Sequence, residues 1–78
     1  MTKLPQVPGN QVVKALKRAG FYLNRWHGSH AIMVRWGEII SVPCHGSKPV
    51  KKGTLRDIIK DAGLTMAEFN QLLHPHVK

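Results

Sequence analysis

Cysteine is almost absent from this 78-residue sequence, in which Cys44 is the only one. A single cysteine forms no internal disulfide, and the sequence has no CxxC pair of the kind that holds zinc or performs redox chemistry. No apolar run approaches the roughly 18 residues needed to span a bilayer, and the start of the chain lacks the apolar stretch of a secretory leader. We therefore expect a soluble cytoplasmic protein with no membrane partner.

Acidic residues are also scarce. Four Asp and Glu stand against twelve Lys and Arg, which gives a formal net charge of +8, and no acidic residue precedes Glu38. A surface of this charge attracts a polyanion or an acidic protein. Because 42% of the residues are hydrophobic, the chain can form a core, and its length allows one domain over residues 1–78.

Several catalytic motifs are missing. The sequence contains no GxxxxGK[ST] phosphate loop and no GxSxG nucleophile turn, and its few carboxylates are too scattered for a glycosidase pair. Cys44 and His45 are adjacent, but neighbouring residues on a strand point to opposite faces, which disfavours a thiol–imidazole pair.

The first part of the chain predicts a helix followed by three strands. Residues 1–9 are expected to form an extended lead-in, and apolar residues at helical spacing predict a helix over about Gln11–Ala19 with a basic outer face. Three short runs rich in β-branched and aromatic residues follow, at 21–23, 31–34 and 39–42. Two-residue turns at Gly28-Ser29 and Gly37-Glu38, each with glycine first, predict type II′ hairpins. Pro43 is expected to end the third strand or place it at an edge.

Two helices are predicted in the last part. Thr54, with Asp57 three positions later, is a candidate N-cap for a helix that ends at Gly63. Thr65 and Glu68 repeat the capping-box pattern for a short last helix, and residues 74–78 are expected to fray. The predicted fold class is α+β, in the order α-β-β-β-α-α, with the helices on one face of a three-stranded antiparallel sheet.

The run His27-Gly28-Ser29-His30 is the first candidate for chemistry. If Gly28 and Ser29 form the turn, His27 and His30 face each other as the closing pair of the hairpin. Histidine titrates near neutral pH, so His30 is a candidate general acid/base. The alternative is that His30 starts a strand whose same-face residues are Ile32, Val34 and Trp36, so that it only caps the core.

A metal site is a further alternative. His27, His30 and His45, with Cys44 beside the last of these, offer ligand types that zinc accepts. Their spacing matches neither the helical HExxH pattern nor paired CxxC motifs, so the sequence gives little support for a metal.

A basic segment, Lys48-x-x-Lys51-Lys52, lies just before the second predicted helix. A helix N-terminus favours anions, and lysines placed there suit a phosphodiester backbone, although a solvated basic loop has the same composition. Arg25 and Arg35 are candidates to extend this basic surface.

Aromatic residues offer a second way to hold RNA. Tyr22 or Trp26 is a candidate to stack on a base. The alternative for Tyr22, Trp26 and Trp36 is packing on the sheet, which we expect for at least one tryptophan.

Four segments together resemble one known family. They are Gly20-Phe21, Gly28-Ser29-His30, Val42-Pro43-Cys44-His45, and the run from Lys52-Gly53-Thr54-Leu55-Arg56 to Ala62-Gly63-Leu64. In order and spacing they are similar to the HicA toxins of type II toxin–antitoxin systems, over about residues 9–73. Two positions depart from the family pattern. Pro8-Gly9 stands where Ser-Gly is common, and His27 replaces another polar residue.

The resemblance implies a double-stranded-RNA-binding-like fold and a small mRNA endoribonuclease that needs no metal or other cofactor. The family's catalytic histidine falls on His30. The resemblance also implies an acidic HicB-type antitoxin that covers the active site, and operator DNA that is reached only through the toxin–antitoxin complex.

The remaining candidate residues are assigned to RNA binding. Those expected to hold the backbone or line the site are Arg25, His27, Ser29, His45, Lys48, Lys51 and Lys52. Two rival functions stay open: a non-catalytic double-stranded RNA-binding module, which has the same α-β-β-β-α order, and a metal-dependent nuclease that uses His27, His30 and His45.

Overall fold

The computed structural model describes residues 6–74, and the predicted order of elements is confirmed. The elements are α1 (Gly9–Arg18), β1 (Tyr22–His27), β2 (His30–Arg35), β3 (Glu38–Pro43), α2 (Lys52–Asp61) and α3 (Met66–Leu73). The strands form an antiparallel sheet in the order β1-β2-β3, as expected for a double-stranded-RNA-binding-like α+β domain. Of the lead-in and tail expected from the sequence, residues 1–5 and 75–78 lie outside the described part.

The core lies between the helices and one face of the sheet. Ala31 and Met33 of β2 and Ile40 and Val42 of β3 point into it, and all four are buried. The helices contribute the apolar stripes that the sequence predicts. The largest fully buried side chains are Phe69, Leu16, Met33, Leu55, Val12 and Val42.

The other face of the sheet has no helix against it among the described residues. Paired residues on neighbouring strands share a face, so the pairing of His27 with His30, and of His30 with Pro43, puts all three on this outer face. His30 is exposed there, while its neighbour Ala31 is fully buried. The interpretation of His30 as a cap on the core is therefore wrong.

A β-bulge in β1 determines which of its side chains reach the outer face. The register shifts between Leu23, which pairs with Met33, and Arg25, which pairs with Ile32. Without this bulge, Leu23 and Arg25 would share a face, because residues two apart in a regular strand point to the same side. With it, Leu23 packs against the core and Arg25 joins the His27 side of the sheet.

The two hairpin turns differ. Gly28 has a φ of 61°, as expected for the first position of the predicted type II′ turn. The second turn is Trp36-Gly37, not Gly37-Glu38, because Arg35 pairs with Glu38. Both turn residues have positive φ, 49° for Trp36 and 81° for Gly37, which is the type I′ pattern.

The first two helices start earlier than the sequence predicts. Helix α1 begins at Gly9, with Pro8 as its N-cap, and α2 begins at Lys52, with Lys51 as its N-cap. Neither cap residue makes a side-chain hydrogen bond. The prediction of Thr54 as the N-cap of α2 is wrong, because Thr54 lies inside the first turn of that helix.

The remaining helix ends follow the sequence signals. The capping box of α3 is confirmed, with the Thr65 N–H donating to Glu68 Oε1 over 2.8 Å. Gly63 ends α2 with a φ of 73°, where the Leu64 N–H donates to the Ile59 carbonyl over 3.1 Å.

Arg35 lies on the helix side of the sheet and joins three elements. Its guanidinium donates to the carbonyls of Ala19 and Ala62, at the ends of α1 and α2, over 2.9 and 3.0 Å. It also forms an ion pair with Glu38 at 2.9 Å and lies over the Phe21 ring. Arg35 therefore has a structural role, and it does not extend the basic surface of Lys48, Lys51 and Lys52.

None of the helices in residues 6–74 combines the length and the apolar character needed to cross a bilayer.

Candidate functional site

A pocket of about 590 Å³ lies at the free edge of β3, between the sheet and the start of α2. We call it the His30 pocket. Three structural segments line it: the outer face of the sheet, the loop after β3, and the first turn of α2. Its lining residues are His30, Ser41, Pro43, His45, Lys48, Pro49, Val50, Lys51 and Thr54.

Two histidines meet in this pocket. His30 is the first residue of β2, and His45 is in the loop that follows β3. Their ring centroids are 6.3 Å apart and the planes are nearly perpendicular, at 85°. Both side chains are exposed, so either ring is accessible to a molecule that enters the pocket.

Backbone hydrogen bonds hold the two histidines in place. The Cys44 N–H donates to the Ser29 carbonyl over 2.9 Å, which ties the residue before His45 to the residue before His30. The Lys48 N–H donates to the His45 carbonyl over 3.2 Å. At the far end of the loop the Val50 N–H donates to the Val7 carbonyl over 2.8 Å. The loop is therefore fixed at both ends.

The pocket is electropositive. Lys48 and Lys51 line it, and in the described part of the chain no Asp or Glu does. Thr54 belongs to the first turn of α2, whose N–H groups have no partner within the helix and carry the positive end of the helix dipole. These groups together suit a bound phosphate.

The other candidate residues lie around the pocket and do not line it. Arg25 and His27 are on the outer face of β1, and His27 pairs directly with His30 across the hairpin. Ser29 is in the turn before His30, and its carbonyl accepts the hydrogen bond from the Cys44 N–H. Lys52 is the exposed first residue of α2. The structure thus brings together His30, His45, Lys48 and Lys51 from the predicted set.

Sequence reasoning missed two polar residues of the pocket, Ser41 and Thr54. Ser41 is the one polar residue between the apolar Ile40 and Val42, and this alternation is a signal for an outward-facing position on β3. The pattern of Thr54 with Asp57 three positions later predicts a helix N-cap, so it does not indicate a position in the pocket.

Cys44 is half-buried beside the pocket and contacts the start of α1. Burial raises the pKa of its thiol, and a hydrogen bond with the Ala31 backbone acts in the opposite direction. Because a nucleophilic cysteine needs its thiolate, this environment disfavours thiol catalysis by Cys44.

The alternative of a metal site needs His27, His30 and His45 to converge on one ion. Within residues 6–74, no group of three or more His, Cys, Asp or Glu side chains is placed to hold a metal ion. His30 and His45 face one pocket, and His27 does not line it.

The aromatic side chains are more exposed than packing on the sheet predicts. Trp36 is 89% exposed and Trp26 is 54% exposed, so the expected tryptophan packed in the sheet is not found in either position. Tyr22 is 56% exposed and, through its pairing with Val34, shares the outer face with His30.

Comparison with known proteins identifies one family. A family model described as "HicA toxin of bacterial toxin-antitoxin" matches residues 9–64, which span α1, the whole sheet and α2. The comparison with curated proteins found no matching relative.

Proposed function

Because the chain belongs to the HicA family of toxins from bacterial toxin–antitoxin systems, we propose that it is an endoribonuclease that cleaves mRNA without a metal, with His30 as general acid/base. Family membership makes it the toxin of such a system, with a cognate antitoxin as partner. The observation that carries the proposed activity is the joint presence of His30, His45, Lys48 and Lys51 in one accessible pocket.

RNA supplies its own nucleophile. A base that takes the proton from the 2′-OH lets that oxygen attack the adjacent phosphorus, and the charge that develops on the phosphate oxygens needs nearby cations. His30 offers the base, and Lys48 and Lys51 offer the cations, since all three line the pocket. DNA lacks the 2′-OH, so the same chemistry restricts the substrate to RNA.

Other predicted residues support RNA binding around the pocket. Arg25 and His27 lie on the outer face of β1, opposite Ile32 and His30 of β2, where they can hold phosphates that enter or leave the pocket. Lys52 extends the cationic surface at the start of α2, and Ser29 fixes the turn that carries His30. Tyr22, further along the same face, offers a ring on which a base can stack.

The partner that fits this site is an acidic HicB-type antitoxin. A net charge of +8 and a pocket lined by two lysines favour a protein that presents carboxylates to the same surface. Such a partner blocks RNA by covering His30, and operator DNA is reached only through the toxin–antitoxin complex. We place this function in the cytoplasm, where mRNA is translated.

The test is His30→Ala, compared with His74→Ala as a histidine-removal control at the end of α3. The His30 variant is expected to keep its melting temperature and antitoxin binding and to lose about 10²–10⁴-fold in RNA cleavage, measured with purified protein in EDTA. His74→Ala is expected to cleave like the wild type, because His74 is outside the pocket.

Three results would contradict the proposal. The first is an unchanged cleavage rate in His30→Ala. The second is loss of wild-type activity in EDTA, which would favour a metal-dependent nuclease. The third is wild-type protein that shifts RNA in gels with strong salt dependence but never cuts it, which would favour the non-catalytic RNA-binding module.

A further inference from the structure

The His30 pocket contains one more histidine than the proposed mechanism uses. We propose that His45 is a second catalytic histidine, which works with His30 as an acid–base pair on the two oxygens that flank the scissile phosphorus. This inference rests on the proposed ribonuclease function and adds to it the residue that handles the other proton.

Accessibility and position support this role. Neither ring is buried, so neither histidine is needed to fill the core. The ring centroids are 6.3 Å apart with an interplanar angle of 85°, and both histidines line the same pocket. A phosphate bound in that pocket can have one ring near the attacking oxygen and the other near the leaving oxygen.

The cleavage step needs both roles. One neutral imidazole takes the proton of the 2′-OH while the 2′-oxygen forms its bond to phosphorus. The bond from phosphorus to the 5′-oxygen breaks, and the other imidazole, which starts protonated, gives its proton to that oxygen. The products are a 2′,3′-cyclic phosphate and a free 5′-OH. The two histidines end with their protonation states exchanged, and protons from water restore them.

The surroundings of the pair are cationic and suit a phosphate bound in the pocket. Lys48 and Lys51 provide cations for the phosphate oxygens, and the first turn of α2 approaches from the same side through Thr54. The charged and titratable groups around the pair are Lys48 and Lys51 from the loop, Lys52 from α2, His27 from β1 across the hairpin, and the half-buried Cys44.

The backbone keeps the pair in register. The 2.9 Å hydrogen bond from the Cys44 N–H to the Ser29 carbonyl joins the two residues that precede the histidines, so it holds the backbones of His30 and His45 side by side. A base and an acid that act on one phosphate need this fixed spacing, since both must reach their oxygens at hydrogen-bond distance in the same step.

The first experiment is a pH–rate profile for wild type, His30→Ala and His45→Ala, measured in single turnover with a short oligoribonucleotide in EDTA. The wild-type profile is expected to be bell-shaped, because the base must be neutral and the acid protonated. Each variant is expected to lose about 10²–10⁴-fold and one side of the bell, the acid side in one variant and the alkaline side in the other.

The second experiment replaces the 5′-oxygen at the cleavage site by sulfur, a leaving group that does not need a proton. This substrate is expected to restore most of the rate to the variant that lacks the acid and to leave the variant that lacks the base impaired. Melting curves and the affinity for an uncleavable oligonucleotide with a 2′-deoxy cleavage site serve as controls for folding and binding.

The outcomes separate the pair from the proposed function. If His30→Ala is inactive while His45→Ala keeps the wild-type rate and bell, the pair is wrong and the single-histidine function stands. If His45→Ala weakens binding but keeps both sides of the bell, His45 only holds phosphate and the pair is again wrong. If both variants cleave like the wild type, the proposed function fails as well.

Discussion

At the scale of single residues, Gly9 has the tightest steric environment among the glycines of residues 6–74. A Cβ at this position would lie 2.2 Å from the Pro43 carbonyl oxygen and 2.7 Å from Cys44 Sγ. The first is a backbone atom of β3 and the second belongs to a half-buried side chain, so neither can move aside without a cost in free energy. The first turn of α1 therefore lies directly against the segment that leads into His45.

Gly9→Ala is expected to destabilise the protein by about 1–3 kcal/mol, because the added methyl group pushes α1 away from β3. The matched control is Gly53→Ala, also in the first turn of a helix, where a Cβ would meet nothing within 4 Å. That variant is expected to stabilise by about 0.5–1 kcal/mol through the better helix propensity of alanine. Urea unfolding of both variants checks the pair, and a shift of the same sign and size in both would contradict the steric explanation.

The environment of His30 shows why a strand sequence alone left its role open. Apolar residues occupy both faces of β2, with Ala31 and Met33 buried and Ile32 and Val34 half-buried on the other side. Alternation divides the residues of β2 between two faces, but when both faces are apolar it does not indicate which face the helices cover. The pairing of His27 with His30 was predictable from the turn residues, whereas the exposure of His30 required the packing of the helices.

At the scale of secondary-structure elements, Arg35 is the contact through which the sheet holds two helix ends. Its guanidinium donates to carbonyls at the C-termini of α1 and α2, where the helix dipole is negative. Its side chain is only 15% exposed, so these bonds are largely shielded from water. This one side chain therefore ties the ends of both helices to the sheet.

Arg35→Met is expected to cost about 2–4 kcal/mol, since it leaves two part-buried carbonyls without their charged donor. Arg35→Lys is expected to recover only part of this, because a lysine ammonium cannot reproduce the planar set of donors. Glu38→Gln, which removes only the exposed ion-pair partner, is expected to cost less than about 1 kcal/mol. Thermal and urea unfolding check this order, and an equal loss in Glu38→Gln and Arg35→Met would show that the ion pair dominates.

The helix boundaries were predictable where a side chain supplies the cap. Thr65 and Glu68 form the capping box of α3, and the sequence signal identified its start correctly. Pro8 and Lys51 make no side-chain cap bond, so the starts of α1 and α2 had no such signal. The first turn of α1 lies against the end of β3, whereas Lys52, Gly53 and Thr54 in the first turn of α2 are exposed.

At the scale of the whole molecule, basic residues gather on the outer face of the sheet and in the pocket beside it. Arg25, His27 and His30 share the outer face, and Lys48 and Lys51 continue it into the pocket. The net charge of +8 was evident from composition, and the basic loop before α2 was evident from the sequence. Their convergence on the His30 side was not, because it depends on the bulge at Asn24 and on the path of the loop around the edge of β3.

Salt dependence of RNA binding tests whether this surface holds the backbone. For a single strand, log Kd changes with log salt by about 0.7 for each phosphate contact, so Lys48→Ala and Lys51→Ala are each expected to reduce the slope by about 0.7 and the double variant by about twice that. Lys60→Ala removes the same charge at the other end of α2, about 12 Å along the helix from Lys52, and is expected to leave the slope nearly unchanged. The measurement is a salt titration of binding to an oligonucleotide with a 2′-deoxy cleavage site. If the three single-lysine variants all reduce the slope equally, RNA binding depends on total charge, and the His30 pocket is not where the phosphates lie.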